Sequence, residues 1–129
     1  MDRAAFLARV EEYHRAGWRL ALINVTTVLS TEADMPGVFE IAWAFARGGG
    51  FETIREQIEP GATVPSISEF FGAAFLYENE IRELFGINVT GIGVDLKGQL
   101  YKTATRVPFS HAAVKARLEA TRAAAVKHS

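Results

Sequence analysis

Residues 38–59 read VFEIAWAFARGGGFETIREQIE, and how the two halves of this stretch are taken decides the fold. In the first half Phe39, Ile41, Trp43 and Phe45 alternate with Glu40, Ala42, Ala44 and Ala46. A large face backs a small one at period two, which predicts a strand over 38–47. Gly48-Gly49-Gly50 then predicts a turn. A phosphate-binding loop would need a following Gly-Lys-Ser/Thr and a helix opening behind it, and this stretch has neither. The second half, FETIREQIE, is ambiguous. Phe51, Ile54 and Ile58 have helical spacing, whereas a strand that enters a glycine turn asks for a hairpin partner.

Working toward the N-terminus, Trp18–Leu29 (WRLALINVTTVL) is rich in β-branched residues and predicts a strand buried on both faces. The connection over 31–37 is polar and contains Pro36. Residues 2–16 predict a helix whose Ala5, Phe6, Arg9, Val10 and Tyr13 share a face and which Gly17 ends.

Working toward the C-terminus, Pro65-Ser66-Ile67-Ser68-Glu69 reads as a helix entry, with Ser66 and Glu69 forming a capping box. The pattern that follows puts Phe70, Ala74, Tyr77, Ile81 and Leu84 on one side, and Gly72 weakens its first part enough to divide it into two shorter helices. Gly86 suits a helix end in the left-handed conformation, with Ile87 packing back on Ile81. Residues 87–101 contain Gly91, Gly93 and Gly98 and predict an irregular arm. Ser110 is placed to cap a last helix over 111–126 with Val114, Leu118 and Ala125 inward. No internal repeat, second domain or low-complexity linker interrupts the chain.

The 129 residues, 49% of them hydrophobic and 22% charged, suffice for one folded domain with one core. A net charge of −1 does not favour nucleic acid or an acidic membrane surface. From Lys97 onward seven Lys/Arg stand against one acid, Glu119, which predicts a basic, solvated or docking tail. There is no cysteine, so disulfides, thiolate catalysis and cysteine-held zinc or iron–sulfur groups are excluded. That suits a cytosolic location. The charged N-terminus does not read as a signal peptide, and the longest apolar run is too short to cross a bilayer.

Glu78, Glu80 and Glu83 crowd a short stretch between aromatics, and three readings compete for them. As acid and base, Glu80 and Glu83 share a helical face, but no serine, histidine or lysine close in sequence completes a catalytic set. As metal ligands they would need a Glu-x-x-His element on each of two helices. Here Glu83 stands where histidine is wanted, the second copy is missing, and His14, His111 and His128 are scattered as surface or capping residues. As a docking face, acids on one side and aromatics on the other fit a basic partner surface. The plain alternative is a solvated face on which Glu78 and Arg82, four apart, form an exposed pair worth about 0.3–0.5 kcal/mol. The aromatic set Phe39, Trp43, Phe45, Phe70, Phe71, Phe75 and Phe85 reads as core before it reads as a ligand pocket.

Order and spacing add something that no single residue does. Val64-Pro65-Ser66, Phe71-Gly72-Ala73-Ala74-Phe75, Glu78-Asn79-Glu80 and Glu83-Leu84-Phe85-Gly86-Ile87 stand in succession. In this the chain resembles the thirty-kilodalton-type subunit of respiratory complex I and its relatives in energy-converting nickel–iron hydrogenases, over most of residues 1–92. Three departures are visible. Asn79 stands where the family has arginine, and Glu83 where it has aspartate. Gly93-Val94-Asp95-Leu96-Lys97-Gly98 replaces a His-Pro-Asp-Leu-Arg-Arg segment. This trimming is similar to the Ech-type and carbon-monoxide-induced hydrogenase branch.

The resemblance implies an α/β domain of the α+β kind, in which helices pack on a small mixed or antiparallel sheet. It favours strand for residues 51–58. The expected division is a core over 1–87, an extended arm over 88–108, and a C-terminal helix and tail over 109–129. It also implies a non-catalytic assembly subunit that binds no cofactor or metal. Its partners would be the nickel-bearing large subunit and an iron–sulfur small subunit, on the cytoplasmic side and peripheral to the membrane. The motif residues expected at the partner interface are Glu78, Glu80, Arg82, Glu83, Phe85, Gly86 and Ile87. The alternatives are the equivalent subunit of a complex I-type quinone oxidoreductase and a stand-alone enzyme using Glu80 and Glu83. An isolated chain is expected to be able to self-associate through the face meant for its partner.

Overall fold

The computed structural model describes residues 1–31, 37–93 and 109–127, with side chains through Thr121 in the last of these. The elements run α1 (Arg3–Arg15), β1 (Arg19–Val28), β2 (Val38–Arg47), β3 (Gly50–Ile58), β4 (Thr63–Pro65), α2 (Ala74–Phe85), β5 (Asn88–Thr90) and α3 (His111–Lys127). β1, β2 and β3 form an antiparallel sheet in that order, and β4 pairs with β5 in a second, parallel sheet. This is the α+β class that the sequence led us to expect.

β2 takes the centre because both of its faces are apolar. Phe39, Ile41, Trp43 and Phe45 are buried beneath the helices, and Ala42, Ala44 and Ala46 are buried on the other side. Arg47 pairs with Gly50 across a two-residue turn, with Gly48 at φ +55°, the left-handed region that tight hairpins use. That turn removes the ambiguity over 51–58. Ile54 and Ile58, four residues apart, share a face in either a helix or a strand, and both are buried. Phe51, which a helix would bring to the same side, points to the opposite face and is 62% exposed.

β1 corrects one expectation. It is buried on one face only: Ile23 is enclosed, while its neighbours Leu22 and Asn24 are exposed. The strand lies at the edge of the sheet, and the described helices cover only the face that carries Trp43. Its register with β2 slips between Leu20 and Leu22, a bulge that leaves the carbonyl of Ala21 to accept from the Tyr77 hydroxyl of α2 at 3.2 Å.

α1 starts where Asp2 accepts from the Ala5 amide at 3.1 Å. It buries Phe6 and Val10. Phe6 lies 4.6 Å from Trp43, ring centre to ring centre, and Tyr13 stacks on Phe45 at 4.4 Å.

The capping box expected at Ser66 does not form. Turns occupy residues 68–70, and α2 begins only at Ala74, with Ala73 at its N-cap and no side-chain cap. The Ser66 backbone is already spent on the parallel pair, its amide donating to the Thr90 carbonyl at 2.8 Å, and its hydroxyl is engaged elsewhere. Gly86 ends α2 as expected, at φ +74°, with its amide on the Arg82 carbonyl. The start of the expected arm is also ordered: residues 88–90 form β5, and Ile87 and Val89 join Ile81 in the core.

Ser110 caps α3 at the Ala113 amide, 3.2 Å away. Val114 is half-buried, but Leu118, expected inward, is 42% exposed. Among the described residues, the anchoring of α3 comes at its beginning. Phe109 donates its amide to the Leu84 carbonyl and accepts from the Thr27 hydroxyl, and His111 Nε2 lies 2.8 Å from the Val38 carbonyl. His111 is therefore a buried anchor, packed on Phe39 at 4.3 Å, rather than a surface residue. Ala125, His128, the rest of the expected arm from residue 94 and the first part of the basic tail, with Lys97, Lys102 and Arg106, fall outside the side chains described.

Candidate functional site

The motif residues converge on α2 and its two flanks. β4 and β5 fix the flanks by pairing Val64 with Val89 and Pro65 with Thr90. α2 bridges them, lying against β1 on one side and β5 on the other. The helix therefore has one face committed to the core, through Ala74, Ile81 and Leu84, and one turned outward, through Leu76 at 47% exposure.

The three glutamates do not behave alike. Glu78 is 2% exposed. Its Oε1 accepts from the Ser66 hydroxyl at 2.7 Å, and its Oε2 accepts from the Ile67 amide at 2.8 Å. Burial pushes its pKa above the ordinary carboxylate value, against the pull of the Ser66 and Ile67 donors and of the Arg82 charge. The exposed Glu78–Arg82 pair expected from the spacing is thus replaced by a buried carboxylate, and Arg82 also donates to the Val89 carbonyl of β5 at 2.9 Å. Asn79 is equally buried and donates to the Phe75 carbonyl one turn back, at 2.8 Å.

Glu80 and Glu83 are half-buried. At three and four residues' spacing they share the outward face with Leu76. Phe85 is half-buried between Phe39, at 6.1 Å, and the 40%-exposed Phe109, at 5.1 Å. Gly86 is exposed and Ile87 is buried. Of the expected interface set, Glu78 and Ile87 therefore face inward, while Glu80, Arg82, Glu83, Phe85 and Gly86 retain accessible surface.

An acid–base role for Glu80 and Glu83 asks for an enclosed cavity around them. Three clefts lined by described residues lie elsewhere: beside Arg3 and Gln57, beside Val28 and Pro60, and between Leu7 and Phe70. Among the described residues no group of three or more His, Asp or Glu side chains is arranged to hold a metal ion. No described helix is long and apolar enough to cross a membrane.

What sequence reasoning missed is the partner of Glu78. Ser66 drew notice as a helix cap and as part of the Val64-Pro65-Ser66 motif; the available signal was Pro65, which restricts Val64 before it to extended backbone and so argues for a strand there rather than a helix entry. No curated protein matches the chain. The family described as the 30 kDa subunit of respiratory-chain NADH dehydrogenase matches residues 4–110, from α1 to the residue that caps α3. The chain belongs to that family, and so to the subunits of complex I-type multi-subunit assemblies.

Proposed function

We propose that the chain is a non-catalytic assembly subunit of a membrane-bound, energy-converting nickel–iron hydrogenase, docking on the nickel-bearing large subunit beside an iron–sulfur small subunit. It binds no cofactor itself. It lies on the cytoplasmic side and reaches the membrane only through the complex. Family membership supports the assembly role. Asn79, Glu83 and the sequence after Gly93 support the hydrogenase branch over the quinone-reducing one.

The observation that carries the docking surface is the division of α2. Glu78 is turned in, while Leu76 and Glu80 are turned out beside Glu83. An apolar side chain flanked by carboxylates suits a partner surface with an apolar socket and arginines around it, whose charge-assisted hydrogen bonds fix the register.

The test is capture of the tagged native protein, with mass spectrometry and metal analysis of what co-purifies. A nickel-containing large subunit with iron–sulfur proteins is expected, and Glu80→Arg should lower its capture by at least about tenfold. A quinone-type large subunit without nickel would move the chain to the complex I branch. Capture of the same partners by Glu80→Arg at the wild-type level would remove the outward face of α2 from the interface.

A further inference from the structure

The hydrogen bonds around Glu78 do not end at Ser66. Ser66 Oγ lies 2.8 Å from Ser68 Oγ and also accepts the Ser68 amide at 3.0 Å. Ser68 Oγ in turn accepts the amide of Gly93 at 3.1 Å. Each hydroxyl has one proton to give and two lone pairs to receive, so the direction of every bond follows from one end. An ionised Glu78 only accepts, so the Ser66 proton goes to the carboxylate. Ser66 Oγ is then an acceptor toward Ser68 on both contacts, and the Ser68 hydroxyl is the donor between the two serines. Ser68 keeps a lone pair for Gly93. The chain runs one way, from the Gly93 N–H through two hydroxyls to a buried negative charge. Bonds aligned toward a charge polarise and strengthen one another.

From this we infer that Glu78 is a positioning residue: through the Ser66–Ser68 relay it holds the backbone at Gly93, where the chain leaves the region of β5, at a fixed place relative to α2. The inference does not rest on the identity of the host complex. It assigns Glu78, the first acid of the motif, to internal registration rather than to partner contact. Arg82, reaching from α2, donates to the Val89 carbonyl in β5 and so also ties that strand to the helix.

The experiment is amide hydrogen exchange by NMR on the full-length chain, read at Gly93. Ser68→Ala removes the acceptor directly and is expected to speed exchange there about five- to tenfold, the effect of one hydrogen bond. The amides of α2 should keep their rates. Glu78→Gln, which can still accept from Ile67 but donates to Ser66, reverses the relay and removes its charge. It is expected to speed Gly93 exchange without touching Gly93. Should that variant fold poorly, Ser66→Ala breaks the middle link and carries the same expectation. An unchanged rate in Ser68→Ala would remove the tether. A faster rate in Ser68→Ala with none in Glu78→Gln or Ser66→Ala would leave Ser68 acting alone and overturn the relay.

Discussion

Glu78 sits where water cannot reach it, and the chain supplies one backbone and one side-chain donor in its place. Glu78→Ala would leave the Ile67 amide without an acceptor, while the Ser66 hydroxyl could turn toward Ser68. A loss of about 1–3 kcal/mol is expected, read as a lower urea midpoint. Glu78→Gln should cost less, since an amide can serve both partners. The pH dependence has a definite sign. Because burial raises the folded-state pKa of Glu78 above its ordinary value, the folded protein holds this proton to higher pH than the unfolded chain does. Its contribution is therefore fully present below the ordinary carboxylate range and is lost as pH rises through the raised folded value. Denaturation measured across that window should show the wild type losing stability relative to Glu78→Gln as pH rises. An equal slope in both proteins would mean that the carboxylate titrates normally. None of this was legible in the spacing of the glutamates, which placed Glu78 apart from Glu80 and Glu83 but could not say which side faced the interior.

Elements were legible to the extent that local chemistry sets them. The end of α2 was, because a left-handed residue there needs glycine. Gly86→Ala would force a Cβ into φ +74° at a cost of about 1–2 kcal/mol, visible as a drop of several degrees in Tm. An unchanged Tm would show that the helix ends by another route. The start of α2 was not legible. Ser66 and Glu69 have the spacing of a capping box, but β4 and β5 claim the backbone at Ser66 and Glu78 claims its hydroxyl. A tertiary hydrogen bond to a buried charge outweighs a local cap that water could replace. β1 was misjudged for a related reason. A run of β-branched residues signals a strand, but whether one face or both are covered depends on where the helices land.

Across the molecule, the weight lies between α1, α2 and the large face of β2. Trp43 is 2% exposed at that junction. Trp43→Ala is expected to cost about 3–5 kcal/mol, a large share of a domain's usual stability of about 5–15 kcal/mol. Leu118→Ala, on the exposed flank of α3, should stay within about 0.5 kcal/mol. The pair is compared by chemical denaturation. If the two variants lost similar stability, α3 would be packed as the alanine-rich pattern suggested rather than anchored at its first turn.

The sequence by itself determined the central strand, the glycine hairpin, the helix of α1, the capped start of α3, the glycine end of α2 and, through the order of its motifs, the family. Each of these rests on covalent geometry, side-chain period or residue order, which a chain carries before it folds. Only the tertiary structure decided the register in which residues 51–58, a strand the resemblance favours, pair with β2, that β1 keeps one face open, that β4 and β5 form a second sheet, and that Glu78 faces inward while Glu80 does not. Those outcomes depend on which surfaces meet. A carboxylate four residues from an arginine is an exposed ion pair or a buried anchor according to what packs against it, and here Ser66 and Ile67, just past the end of β4, make it an anchor.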